Sequence, residues 1–112
     1  MSKPNIALTE AVFYTLLSLL EPLHGYGIMQ NAENWSQGRI KLAAGTLYGA
    51  LNTMLDREWI IALPEEENSR KKEYVITPKG REILEQEMQR LEELVTNGKR
   101  ILREANDGKE FL

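Results

Sequence analysis

Apolar residues recur along this chain at two spacings, and the change from one to the other divides it into elements. Val12, Phe13, Leu16, Leu17 and Leu20 share one side of a first helix. Thr9 is placed to cap it, Glu10 complements its dipole, and Pro22 is expected to end it. Gly25 and Gly27 punctuate a second start, after which Ile28, Met29, Ala32 and Trp35 again follow helical spacing. Ser36-Gln37-Gly38 reads as a turn, and Arg39-Ile40-Lys41-Leu42 alternates like a very short strand. A third helix is predicted from Ala44 to Arg57, with Leu47, Leu51, Met54 and Leu55 on its apolar stripe. The spacing then changes. Trp59-Ile60-Ile61-Ala62-Leu63 reads as a buried strand closed by Pro64, and Glu73 to Thr77 as a second strand. The polar stretch from Glu65 to Lys72 joins them as a long hairpin loop.

Thr77-Pro78 marks the start of the last helix, a capping hydroxyl followed by proline at the first helical position. The helix is expected to reach Ala105, roughly 42 Å at 1.5 Å per residue. Along it Leu84, Met88, Leu91, Val95 and Leu102 follow alternating steps of four and three, with Gly98 in the missing place. Asn97-Gly98 is a candidate kink or early end. Glu87 and Arg90 are spaced to pair on one face. An apolar seam of this length has no use in water and points to a second copy of the chain, with packing on the first helix as the alternative.

The outer face of the third helix is unusual for a solvated surface. Thr46, Tyr48, Gly49, Asn52 and Thr53 fall there, and none of them is charged. Short polar groups of this kind suit close approach to base edges and sugar-phosphate, although they would also make an ordinary polar helix face.

Composition narrows the field. The 112 residues make one small domain with no cysteine and one histidine, which leaves little for a disulfide framework, a transition-metal site or a thiol nucleophile. No phosphate-binding loop or separated carboxylate pair is present, so an enzyme is not expected, nor any cofactor or metal. No basic-then-apolar leader opens the chain, and the uncharged run from Ala11 to Leu20 is far short of the roughly 20 residues of a membrane span, so a cytoplasmic protein without a membrane partner is expected. The formal net charge is -3. This argues against indiscriminate coating of nucleic acid, but Arg70-Lys71-Lys72 form a local basic cluster beside Glu65-Glu66-Glu67.

Three blocks stand in register: His24-Gly25-Tyr26-Gly27-Ile28, the run from Ala43 to Leu55, and the stretch from Arg70 to Arg81. In this order and at these distances the chain resembles the PadR family of winged-helix transcriptional regulators, from about Thr9 to Leu84 and more loosely beyond. The resemblance implies a mainly α fold with a small β-hairpin: a winged helix-turn-helix DNA-binding domain over residues 1–77 and a C-terminal dimerisation helix and tail over residues 78–112. It implies that the third helix enters the major groove, with Asn52 the best candidate to read a base and Tyr48 to hold a phosphate. Arg70, Lys71 and Lys72 would follow phosphates from the wing, Tyr26 and Gln30 would add hydrogen bonds, and Lys3 would reach out from an N-terminal arm. Two subunits would pair through Leu84, Met88, Leu91, Val95 and Leu102 and read a palindromic operator in double-stranded DNA.

The resemblance also implies a repressor relieved by a small, aromatic or drug-like effector, for which Phe13, Tyr14, Trp35 and Met88 are candidates. Some relatives carry a tryptophan in the last helix that stacks on flat drugs; this last helix has none, so that role is not carried over. Ala43 and Ala44 stand where the family has a capping serine, and Glu58 where it has glycine, so the entry and exit of the third helix are expected to differ locally. The rival reading is a winged-helix protein-interaction module that has left DNA, which the acidic balance would suit.

Overall fold

The computed structural model describes residues 7–65 and 71–108. In chain order the elements are α1 (Glu10–Ser18), β1 (Leu23–His24), α2 (Gly25–Trp35), α3 (Ala44–Asp56), β2 (Ile60–Ala62), β3 (Glu73–Ile76) and α4 (Pro78–Asp107). The three strands form one antiparallel sheet in the order β1-β3-β2. Ile60 pairs with Ile76 and Ala62 with Tyr74, while Leu23 pairs with Tyr74 from the other side. Three helices followed by a hairpin, with a third strand from the lead-in to α2, make a winged helix.

One apolar core joins every layer. Leu16 from α1 and Leu19 just after it, Ile28 from α2, Leu47, Leu51 and Met54 from α3, Ile60 from β2 and Tyr74 from β3 are buried together with Leu84 of α4. The helical stripes read from the sequence supply most of these. Two details of the first helix differ. It ends at Ser18, four residues before Pro22, and Leu19 is buried while Leu20 is exposed. The reason is that the chain must turn early enough for Leu23–His24 to reach β3. The Leu19 carbonyl is used in that turn, accepting from the Ile76 N–H at 2.8 Å.

The strand expected at Arg39–Leu42 does not form; the third strand is Leu23–His24 instead. Arg39 is drawn to α1, where its guanidinium forms a two-point pair with the Glu10 carboxylate and holds that carboxyl below its usual range. The Ile40 N–H is taken by Ser36 Oγ at 2.8 Å. The segment is therefore a pinned turn, with Gln37 and Gly38 in the left-handed region at φ 52° and 81°.

The exit of α3 takes the left-handed turn expected of a glycine although Glu58 stands there. Glu58 sits at φ 62°, and the Trp59 N–H reaches back to the Met54 carbonyl at 2.9 Å, as in a glycine-terminated helix. A non-glycine residue in this region is strained by roughly 1–2 kcal/mol. Thr77 holds the exit in place: its Oγ1 donates to the Glu58 carbonyl at 2.7 Å and accepts from the Gly80 N–H at 3.0 Å. Gly80 allows this closeness, because a Cβ there would lie 2.1 Å from the Trp59 carbonyl oxygen.

α4 runs unbroken through Asn97-Gly98 for 30 residues, about 45 Å. Its first turns belong to the core, where Gly80, Leu84 and Glu87 are buried. Glu87 is 3% exposed, accepts two hydrogen bonds from Arg90 at 2.6 and 2.9 Å and one from the Leu8 N–H at 3.0 Å. The Arg90 hydrogen bonds hold its carboxyl below the usual range, against the opposing effect of burial. Beyond Arg90 every described residue of α4 is exposed.

Candidate nucleic-acid interface

α3 is held to the body by Leu47, Leu51 and Met54, all buried, and this fixes which face looks outward. Thr46, Tyr48, Gly49, Asn52 and Thr53 are all exposed, as helical spacing predicts. No basic or acidic residue precedes Asp56 within the helix. Its entry is also as the sequence implies: Ala43 occupies the cap position in an extended conformation and offers no side-chain hydrogen bond. The first amides of the helix are left to solvent or to an outside acceptor.

Two glycines on the outward face have no internal explanation. Positions 45 and 49 are one turn apart, and a Cβ at either would meet nothing among the described residues within 4 Å. The contrast with Gly25 and Gly80 is sharp. A Cβ on Gly25 would lie 2.8 Å from the Tyr48 hydroxyl oxygen, so Gly25 exists to let the Tyr48 ring lie against the start of α2. Tyr48 is accordingly braced on one side and 48% exposed on the other. Gly45 is a residue that sequence reasoning passed over; its one-turn spacing from Gly49 was the available signal.

The side chains differ in what they still offer. The Thr53 hydroxyl donates to the Gly49 carbonyl at 3.2 Å, which commits its hydrogen. Asn52 has no hydrogen-bond partner among the described residues, so its amide is open in both senses. Tyr26 and Gln30 lie exposed on α2, one turn apart. A groove of about 280 Å³ runs along that side, lined by Tyr26, Gln30, Glu33, Lys41 and Leu42 among others. His24 caps α2 through its backbone alone and sits in β1 opposite Glu73, a structural place.

Of the wing cations, Lys71 and Lys72 are exposed at the entry to β3. Arg70 and Lys3 lie outside the described residues, as do Glu66 and Glu67. The effector candidates are scattered. Phe13 and Tyr14 meet edge to face with ring centroids 5.9 Å apart, Trp35 is exposed at the end of α2, and Met88 is exposed on α4. None of them lines the groove along α2.

The seam of α4 requires one correction. Leu84 is buried against the core of its own subunit and is not part of a free face. Met88, Leu91, Val95 and Leu102 are exposed, and so are Leu94 and Ile101, which the four-and-three count omitted. Gly98 lies among them with open space where its Cβ would be. Among the described residues no helix is long and apolar enough to cross a membrane.

Comparison with known proteins agrees with this geometry. Residues 13–86 match the model of the transcriptional regulator PadR-like family. An uncharacterized 37.1 kDa protein of transposon TN4556 from Streptomyces fradiae is 42% identical over 66 residues, which are 59% of this chain and 18% of that protein. The chain thus matches under a fifth of that relative's length. Among solved structures, a PadR family transcription regulator from Clostridium difficile is 25% identical, with 81% of this chain and 97% of that one covered and a TM-score of 0.65. A PadR family regulator from Eggerthella lenta is 22% identical over 81% of this chain and 80% of that one, with a TM-score of 0.67. BpsR from Bordetella bronchiseptica, whose DNA binding is regulated by 6-hydroxynicotinic acid, is 18% identical over 85% of this chain and 67% of that one, with a TM-score of 0.64. At these last two identities the likeness is one of fold.

Proposed function

The chain belongs to the PadR-like family of transcriptional regulators, and from that premise we propose that it is a dimeric, cytoplasmic repressor that reads a palindromic operator through α3. Residues 1–77 carry the DNA contacts and α4 beyond its core turns joins the subunits. The observation that carries the reading is the pair of glycines at positions 45 and 49. A glycine within a helix costs roughly 0.8–1.0 kcal/mol relative to alanine. Nothing among the described residues requires these two. They are explained by a surface from outside that comes close to the helix backbone, flanked by Tyr48 and Asn52. Short neutral donors and acceptors of this kind can pair with base edges in a major groove, Asn with adenine among them.

Asn52 reads a base, with adenine as the amide's preferred partner, and Tyr48 holds a phosphate. Thr46, Gly49 and Thr53 pack along the groove wall, and Lys71 and Lys72 follow the backbone from the wing together with Arg70. Release of the operator is assigned to a small, flat effector, with the paired rings of Phe13 and Tyr14 as its candidate seat. The ligand regulation of BpsR supports that class of control by analogy of fold.

The test is capture of source-genome fragments by the purified chain, followed by titration of the retained fragment. Gly49→Ala is expected to raise folding stability by about 0.5–1 kcal/mol through helix propensity. The same change is expected to weaken the fragment's binding about 10-fold or more, about 1.4 kcal/mol in the opposite sense. Asn52→Ala should cost a similar factor and relax preference at one base pair. A chain that retains no DNA, or a Gly49→Ala variant that binds as tightly as the parent, would transfer this face to a protein partner.

A further inference from the structure

An α3 without a single basic residue raises the question of where the attraction to phosphate comes from on its own side of the molecule. Between residues 7 and 65 the cations are Arg39, Lys41 and Arg57. Arg39 is spent on Glu10 of α1. Arg57 lies with its guanidinium carbon 5.3 Å from the centre of the Trp59 ring. Lys41 has neither an ion pair nor a hydrogen bond among the described residues. It is exposed, it stands three residues before α3, and it lines the groove that Tyr26 and Gln30 share.

We propose that Lys41, Tyr26 and Gln30 form a phosphate track for the DNA strand that flanks the recognition helix, and that Glu33 in the same groove limits its strength. The proposal rests on the DNA-binding reading above and adds to it a contact residue and an opposing one. A flexible ammonium and two neutral donors along one groove suit a sugar-phosphate chain, which needs charge without strict geometry. Glu33 stands about one turn beyond Gln30 on α2 and repels the next phosphate. The track therefore has a defined end, and the wing lysines serve the strand on the other side. The pinned turn gives Lys41 a fixed base, through Ser36 Oγ on the Ile40 N–H and the Arg39 pair with Glu10.

The experiment measures binding of the full chain to its captured genomic fragment and to a mixed-sequence duplex, over a range of salt. Lys41→Ala should weaken both duplexes by the same factor and reduce the salt slope by about 1 for each subunit bound. Glu33→Gln should strengthen both, and Lys41→Arg should keep the parent slope. Lys41→Ala with an unchanged slope, while the parent still holds its fragment, overturns the track and leaves the role of α3 standing. A parent chain that binds neither duplex overturns both.

Discussion

α3 and α4 each present a face that the other described residues leave uncovered, and they do so with opposite chemistry. On α3 that face is small, polar and uncharged, and the helix is poorly served as a helix: no side-chain cap, two open glycines, and a strained glutamate at its exit. Burial of Leu47, Leu51 and Met54 holds it instead. At about 25 cal/mol per Å² of apolar surface removed from water, burial of that kind outweighs the propensity losses. α4 is the reverse. Thr77 caps it, Pro78 opens it, and ion pairs line it, so it persists as a helix far beyond the core that anchors its first turns. Its free face carries Met88, Leu91, Leu94, Val95, Ile101 and Leu102 amid charge. On the proposed reading, one helix gives up local stability so that DNA can come close, and the other keeps apolar area exposed for a second subunit to cover.

That contrast can be broken most forcefully on α4. Val95→Asp with Leu102→Asp places charge in the free stripe, where the subunits are proposed to meet. The dissociation constant of the assembly should rise at least about 100-fold, with helical content retained. Sedimentation at several concentrations reads this; unchanged behaviour would remove α4 as the joint.

The glycines supply an effect of similar size. Gly80→Ala forces a Cβ into the Trp59 carbonyl oxygen and should lower stability by about 3 kcal/mol. Gly98→Ala meets nothing among the described residues and should leave the separated subunit slightly more stable. Urea unfolding of both variants checks the difference, and equal losses would mean that position 98 is packed like position 80.

The Glu87 clasp comes third. Its removal in Glu87→Gln should cost about 1–3 kcal/mol near neutral pH, because Arg90 and the Leu8 amide lose a charged acceptor. The folded carboxyl titrates below its ordinary range, so its contribution is complete above the unfolded carboxylate value and disappears as pH falls through the folded one. The stability gap between parent and variant should therefore close on acidification from neutral. A gap that stays constant across that range would show that the carboxylate charge is irrelevant to the clasp.

The smallest change makes α3 resemble α4 at its entry. Ala43→Ser restores a capping hydroxyl and should add about 0.5–1 kcal/mol, read as a higher melting temperature. No gain would mean that the Ala43 backbone already satisfies the entry in another way.

Much of this was legible beforehand, and the reasons are local. Leu47, Leu51 and Met54 repeat at helical spacing, and a helix with one apolar stripe has only one way to face a core, so the exposure of Tyr48, Gly49 and Asn52 followed. Thr77-Pro78 announced α4 because cap and first-turn chemistry need no distant partner. Two of the misread places depended on what lay across from them. Arg39–Leu42 alternates like a strand, but a strand exists only by pairing, and β3 was already taken by Leu23–His24 on one edge and Ile60–Ala62 on the other. Leu84 fits the seam by count, yet the approach of α1 and the core places it inside its own subunit. Gly98 carried a breaking tendency that capping and neighbouring helix formers outweighed.

The order of residues by itself therefore determined which segments are helical, which stripe of each turns inward, and which surface of α3 is left without charge, since these rest on interactions within a few residues. The tertiary structure alone decided which glycines are filled by neighbours and which stand open, where the exposed apolar stripe of α4 begins, and that Lys41 has no ion pair among the described residues. Those outcomes depend on contacts between residues far apart in the chain, whose geometry no local spacing encodes.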